Sequence, residues 1–534
     1  MTDETQSTEQ IEQADPAKKK ARRRTIRRVI ISSILIAAAN MLYLLMRWIE
    51  NRYDDVQFDQ IFYQLKSPVE GTSSSLVWNA IFSVVFLGLL ISAVEVFLVI
   101  MLSGKFKDKF SKFKLYVKYC ATRAVNFFKK SYLALSALAL VLSIMTIIFR
   151  LGIHMFVYNS VVTSDFIEDN YVDPDDVALS FPEEKRNLIY IFLESMENTF
   201  AEPSVGGNIT DDFMSELTEL ANNNVSFSSK DSYGAYSYVG TRWTAAALFA
   251  QTSGVIIKVP MNFDYYGDDG VYMPGITTLG DILANEGYEQ SVLFGSNATF
   301  AARDAYFTEH GNFNIIDLES LIKEGKFDEE DKVWWGFEDA KLFDYAKEEL
   351  TRLASGDKPF NFMTLTADTH FPDGYMCELC GNEYDSQYAN VISCSSKQVY
   401  EFVEWIKAQP FYENTTIVLS GDHLTMDPEF LADIDENYIR TTYNCFINAA
   451  ATPTNEKNRE FGTFDMFPTT LAALGVEIEG DRLGIGTNLF APLETVQTLT
   501  EQYGYDKVEE ELCKRSEFYV DCFFDPDAKS KENE

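Results

Sequence analysis

The chain has 534 residues, more than a single hydrophobic core supports, so more than one domain is expected. A net charge of −36 excludes a basic nucleic-acid groove, and 46% hydrophobic residues exclude a disordered chain. The charge is divided: residues 1–131 carry +8 and the remainder −44, the pattern of a basic segment against a membrane and an acidic body in water.

Residues 1–28 form a basic tail containing Lys18, Lys19, Lys20, Arg22, Arg23, Arg24, Arg27 and Arg28. Residues 29–157 form a membrane region with helices predicted over 29–48, 76–102 and 133–157. Each is near the roughly 20 apolar residues that a helical crossing needs. The first continues well past Ala37-Ala38-Ala39, so it reads as an uncleaved anchor and not a signal peptide. The loop Gly104–Lys130 carries nine Lys/Arg, whereas Glu50–Ser75 has more acid than base. The positive-inside rule therefore places the tail and the 104–130 loop in the cytoplasm and everything after Val157 outside. Phe106, Phe110, Phe113 and Tyr116 alternate with lysines in the inner loop. That pattern fits either an interfacial helix on anionic lipid or an ordinary topology-setting loop. Glu95, inside the second span, is either functional or paired with Arg47 or Arg150.

Residues 158–184 read as a linker, acidic over Ser164–Glu184 with Pro174 and Pro182. Residues 185–495 alternate short apolar runs with amphipathic patterns, and 496–534 form an acidic extension. Strands are predicted at Asn187–Leu193, Ser291–Phe294, Phe360–Thr366 and Thr415–Ser420. Helices are predicted at Asp212–Ala221, Thr277–Asn285, Glu338–Leu353 and Ser396–Ala408. The expected fold is an α/β domain with a mainly parallel sheet flanked by helices, preceded by an α-helical transmembrane region. Six of the seven cysteines lie in this outer part, where disulfides are expected, Cys513–Cys522 being the local candidate. Cys377-x-x-Cys380 also has the spacing that begins a zinc site, but no second such pair or His pair completes it in sequence.

In open α/β sheets, sites form beyond the carboxyl ends of strands. The predicted strands lead into Glu194-Ser195, into Gly295-Ser296-Asn297 and on to Arg303, into Asp368 and His370, and into Gly421-Asp422-His423. Glu194, Asp422 and His423 are oxygen and imidazole groups of the kind that hold divalent cations, although alone each also serves as a cap or turn residue. Gly240-Thr241-Arg242-Trp243-Thr244, before an Ala-rich run, places Thr241 or Thr244 at a helix amino terminus. Such a threonine is either a cap or an anion-site hydroxyl.

NLIYIFLESMEN, GTRWTAAALFAQTSG, GSNATFAARD, DTHFPDG, VLSGDH and GTFDMFPTTLAALG occur in that order. Together they resemble the phosphoglycerol transferase and lipoteichoic acid synthase group of the sulfatase/alkaline phosphatase superfamily. The resemblance covers roughly residues 160–490. It implies that Glu194, Thr244, Asp422 and His423 bind Mn²⁺ or Mg²⁺, with Zn²⁺ as an alternative, and that Thr244 is the nucleophile. It further implies that Arg303 and His370 bind substrate. The donor is then phosphatidylglycerol, and the acceptor an extracytoplasmic glycan or polymer. The alternatives are phosphoethanolamine transfer and an inactive envelope-assembly or glycan-binding protein. Sulfatase chemistry requires a Cys or Ser in a C/S-x-P-x-R pattern, which the Thr244 segment lacks. The synthase pattern has a tryptophan where this chain has Ala301 and a histidine where it has Phe294.

Overall fold

The computed structural model describes residues 16–54, 56–66, 74–103, 115–229, 234–258, 272–435 and 437–524. The tail before residue 16 and the inner-loop lysines and phenylalanines from Lys105 to Lys114 lie outside the described residues. The chain divides into two compact units, residues 1–51 with 74–153, and residues 52–73 with 154–534.

Among the described residues, the first unit contains three helices long and apolar enough to cross a membrane, Ile26–Glu50, Leu76–Leu98 and Ser131–Arg150. The third stops at Arg150, because Gly152 adopts a left-handed φ of 64° and a separate helix, Ile153–Val161, begins. Glu95 pairs with neither predicted arginine. Its Oε2 accepts a 2.9 Å hydrogen bond from Asn40, while Arg47 and Arg150 each approach Glu50 at 3.5 Å.

The second unit is built on a six-stranded sheet: β1 (Asn187–Leu193), β2 (Glu289–Phe294), β3 (Asn314–Ile316), β4 (Phe360–Leu365), β5 (Thr415–Gly421) and β6 (Asn444–Ile447). Its order is β3-β2-β4-β1-β5-β6, parallel except for the antiparallel edge strand β6. Alternation along β1 explains why both faces are covered. Leu188, Tyr190 and Phe192 enter one apolar core, and Ile189, Ile191 and Leu193 enter the other.

The segment read as a linker is folded onto this unit. Leu179 and Ser180 pair with Ile478 and Glu477, and Val172 and Gly484 exchange backbone hydrogen bonds. The acidic extension likewise forms helices Leu499–Tyr503, Tyr505–Cys513 and Glu517–Phe524. Among the described residues the expected disulfides are not formed, and Cys377, Cys380, Cys394, Cys445 and Cys513 are free thiols. Cys377 and Cys380 stand 3.6 Å apart, against about 2.05 Å for a bonded pair.

Candidate active site

β2, β4, β1 and β5 lie side by side and end nearly level, with Phe294 opposite Leu365, Phe192 opposite Leu365, and Leu193 opposite Gly421. The residues that follow these strands therefore gather at one edge. Glu194 leaves β1 and Asp422 leaves β5. Gly421 is required between them, since a β-carbon there would stand 2.0 Å from the Met196 carbonyl.

The turn after β1 is strained. Ser195 has φ 53°, a conformation that costs an L-residue about 1–2 kcal/mol. It is held by two hydrogen bonds of 2.8 Å, from Ser195 N–H to Asp422 Oδ1 and from its hydroxyl to Glu194 Oε1. The His423 N–H donates to the same Asp422 Oδ1 at 2.7 Å. Asp422 Oδ2, by contrast, is buried without a hydrogen-bond partner.

Thr244 is the first residue of helix Thr244–Ser253, entered from an extended Trp243 with no side-chain cap. Its Oγ1 lies 3.2 Å from Glu194 Oε2 and 3.3 Å from His423 Nε2. Thr241 is turned away, donating to the Tyr238 carbonyl at 2.9 Å and accepting from its N–H at 3.0 Å. His423 Nδ1 stands 2.8 Å from the Leu424 carbonyl, which only accepts, so Nδ1 carries the proton. The Nε2 lone pair then faces Glu194 Oε1 and Asp422 Oδ2, each at 3.5 Å.

These groups fit a divalent cation. Glu194, Asp422 and His423 each present a ligand atom within 4.8 Å of the others, and all three are buried. Burial and the neighbouring Glu194 push the Asp422 carboxyl well above its usual range. Burial opposes ionisation of Glu194, yet its carboxyl lies below the ordinary carboxylate range, the donating Ser195 hydroxyl being one of the groups that favour the anion. Two buried acids in contact are unfavourable, and a bound cation would neutralise them, with the orphan Oδ2 available as one of its ligands.

Arg303 and His370 stand at the same edge, each close enough to Glu194 to be coupled to it electrostatically. Arg303 is buried, which lowers its pKa to about 10. Its Nη2 donates to Ser296 Oγ at 3.0 Å and to the Asn297 carbonyl at 2.7 Å, and its guanidinium lies 4.5 Å from the centre of the Phe294 ring. The phenylalanine at the synthases' histidine position thus supplies a cation–π seat for Arg303. His370 Nδ1 pairs with the Phe371 carbonyl at 2.7 Å, leaving Nε2 as the atom for exchange with a ligand. Its ring is flanked by Trp335 at 5.2 Å, Phe371 at 5.0 Å and Trp334 at 5.8 Å.

Sequence reasoning missed Ser195 and the tryptophan pair. The Trp334-Trp335 dipeptide, set in an otherwise charged stretch, was the available signal. It also missed a cavity of about 720 Å³ whose lining includes Trp243 and Leu424, the neighbours of Thr244 and His423. Tyr236, Tyr438, Tyr505, Asp59, Arg242 and Arg440 contribute further walls.

Fold and site together define an alkaline phosphatase-like α/β domain, with acid and imidazole groups at the carboxyl edge of its sheet. Residues 186–476, more than half of the chain, match the family model described as sulfatase, and the chain belongs to that family within the sulfatase/alkaline phosphatase superfamily. It is 33% identical over 267 residues to "Phosphoglycerol transferase I" of Salmonella choleraesuis (strain SC-B67), covering 48% of this chain and 34% of that protein. The match thus spans about a third of the curated relatives' length. Among solved structures, the lipoteichoic acid synthase LtaP from Listeria monocytogenes is similar at 18% identity and TM-score 0.47, covering 62% of this chain and 82% of that one. The lipooligosaccharide phosphoethanolamine transferase EptA from Neisseria meningitidis is similar at 15% identity and TM-score 0.48, covering 83% and 84%.

Proposed function

We propose that this chain is a membrane-anchored, divalent-metal-dependent phosphoglycerol transferase that moves the head group of phosphatidylglycerol to an extracytoplasmic glycan or polymer through Thr244. The observation that carries this reading is the position of the Thr244 hydroxyl, at a helix amino terminus and within 3.3 Å of both Glu194 and His423. The name of the Salmonella relative supports the phosphoglycerol head group, and the three apolar helices support anchoring. The charge asymmetry supports a catalytic domain outside the membrane.

Glu194, Asp422, His423 and Thr244 would hold the cation, Mn²⁺, Mg²⁺ or Zn²⁺. When bound, it lowers the pKa of the Thr244 hydroxyl and neutralises charge on the phosphodiester. Arg303 grips a phosphoryl oxygen from its seat on Phe294. Thr244 Oγ1, its proton already lost to solvent, attacks phosphorus as the oxyanion, and the bond from phosphorus to the diacylglycerol oxygen breaks. His370 Nε2 gives that leaving oxygen its proton. The acceptor hydroxyl then returns a proton to His370 and attacks the glycerophospho-threonine, releasing Thr244. The aromatic and charged lining of the neighbouring cavity suits the acceptor glycan.

To test this, the detergent-solubilised chain is incubated with Mn²⁺ and head-group-labelled phosphatidylglycerol or phosphatidylethanolamine. Label should transfer to Thr244 from the glycerol lipid alone. Diacylglycerol release by a Thr244→Ala variant removes the nucleophile assignment, and preference for the ethanolamine lipid removes the donor assignment.

A further inference from the structure

A second group of metal-ligating side chains lies outside the Thr244 site. Cys377 Sγ is 3.6 Å from Cys380 Sγ and 3.8 Å from Cys394 Sγ, and the three sulfurs lie within 4.8 Å of one another. Two thiolates on one tetrahedral zinc ion, with Zn–S bonds of about 2.3 Å, stand roughly 3.8 Å apart. The observed spacing is therefore that of ligands sharing an ion. One disulfide satisfies only two of the three sulfurs, whereas a cation satisfies all three.

Gln398 supplies an independent observation. It lies one turn beyond Cys394 on helix Gln387–Lys407 and is only 5% exposed. Its Nε2 is 3.3 Å from Cys394 Sγ and 3.7 Å from Cys377 Sγ, while its Oε1 is buried with no hydrogen-bond partner. A half-turn of the amide exchanges these two atoms and brings the orphan oxygen to the sulfurs.

We infer that Cys377, Cys380 and Cys394, closed by the Gln398 amide oxygen, form a second cation site of zinc type, distinct from the Glu194–Asp422–His423 group. Binding releases the thiol protons and yields a three-thiolate, one-oxygen set. The site's place in the fold gives it a role. Cys377 and Cys380 lie in the loop 366–386 that carries His370, and Cys394 sits on the helix that follows this loop. The same loop is tied by Tyr375 N–H to the Asp368 carbonyl at 2.7 Å and by Gln387 Nε2 to the Gly374 carbonyl at 3.1 Å. The ion staples the His370 loop to that helix.

The test uses the full chain in detergent carrying Asp422→Ala, so that the Thr244 site does not contribute to metal content. Loaded with Zn²⁺ and desalted, this protein should retain one zinc per chain by elemental analysis, and Cys380→Ser added to it should reduce retention at least tenfold. Loading the Asp422→Ala protein with Co²⁺ requires no cysteine change, and should give the near-ultraviolet thiolate-to-cobalt band with tetrahedral visible absorption. Zinc retention unchanged by Cys380→Ser, absence of the thiolate–cobalt band, or a disulfide among Cys377, Cys380 and Cys394 in peptide maps of the non-reduced protein overturns the site. None of these readouts depends on transfer activity, so they stand apart from the test of the phosphoglycerol reading.

Discussion

Tyr63 donates a 3.0 Å hydrogen bond to the carbonyl of Ala301, two residues before Arg303. Its ring also lies 5.4 Å from that of Trp243, the residue before Thr244. Tyr63 belongs to helix Phe58–Lys66, which in sequence lies between the first two apolar helices but belongs to the second unit. This one side chain therefore supports both the proposed nucleophile and the proposed phosphate-binding arginine. Tyr63→Phe removes only the hydroxyl, a change of about 1 kcal/mol. The expected result is a several-fold rise in KM for labelled phosphatidylglycerol with metal content unchanged. An unaltered KM shows that the helix does not position the site.

The Ala301 carbonyl needs this support because the backbone there is unusual. Ala301 and Ala302 have φ of 57° and 61°, two consecutive left-handed residues at the entry to the Arg303 helix. Each costs an alanine about 1–2 kcal/mol, a strain that glycine lacks. Ala302→Gly should therefore leave the melting temperature unchanged or raise it by about 1–2 °C. Ala246→Gly, inside helix Thr244–Ser253, should lose about 1 kcal/mol. Equal losses from both in thermal unfolding contradict the strain argument.

These two positions also mark how far the sequence could be read. The four buried strands were legible, because runs such as NLIYIFL are apolar on both faces and end in polar loops. Their shared edge then predicted which residues would meet. The edge strands Asn314–Ile316 and Asn444–Ile447 are too short for periodicity to reveal. Tyr63 was invisible because its role depends on a long-range fold-back. The cysteines were misjudged because compartment and spacing favoured disulfides, whereas the third partner, Cys394, comes from a helix that only the tertiary fold brings near. Thr241 and Thr244 were indistinguishable by spacing. Only the turn that closes Thr241 onto Tyr238 separates them.

The orphan oxygen of Asp422 gives a prediction about metal removal. In metal-free protein the Asp422 and Glu194 carboxyls repel in a buried setting, and a divalent cation relieves this. Adding Mn²⁺, which prefers oxygen ligands to the thiols of the cysteine group, to chelator-treated protein should raise the melting temperature in a concentration-dependent way, by about 2.7 kcal/mol of stability at a hundredfold excess over Kd. Asp422→Asn removes the repulsion, so its metal-free form should melt no lower than the wild type while losing most of the cation-induced rise. A variant that keeps the full rise places the cation elsewhere.

The last prediction concerns pH and Lys258, whose ammonium donates to the carbonyls of Leu512 and Lys514 at the end of helix Tyr505–Cys513. Burial lowers its pKa to about 8 from 10.5, against the opposing pull of Cys513, Asp59 and Glu509. Between those values the unfolded chain holds a proton that the folded protein lacks, so stability rises with pH across that window. The contribution is fully present above about 10.5 and is lost as pH falls through about 8. The full gap corresponds to at most about 3 kcal/mol. With the side chain only partly buried, about 1–2 kcal/mol is the expected size. Lys258→Met has no such titration and leaves two carbonyls unpaired, so it should be less stable throughout. Its deficit relative to wild type should widen between pH 7.5 and 10 in parallel thermal melts. A deficit that stays constant or narrows means that Lys258 remains charged in the folded protein, held by its two carbonyl partners.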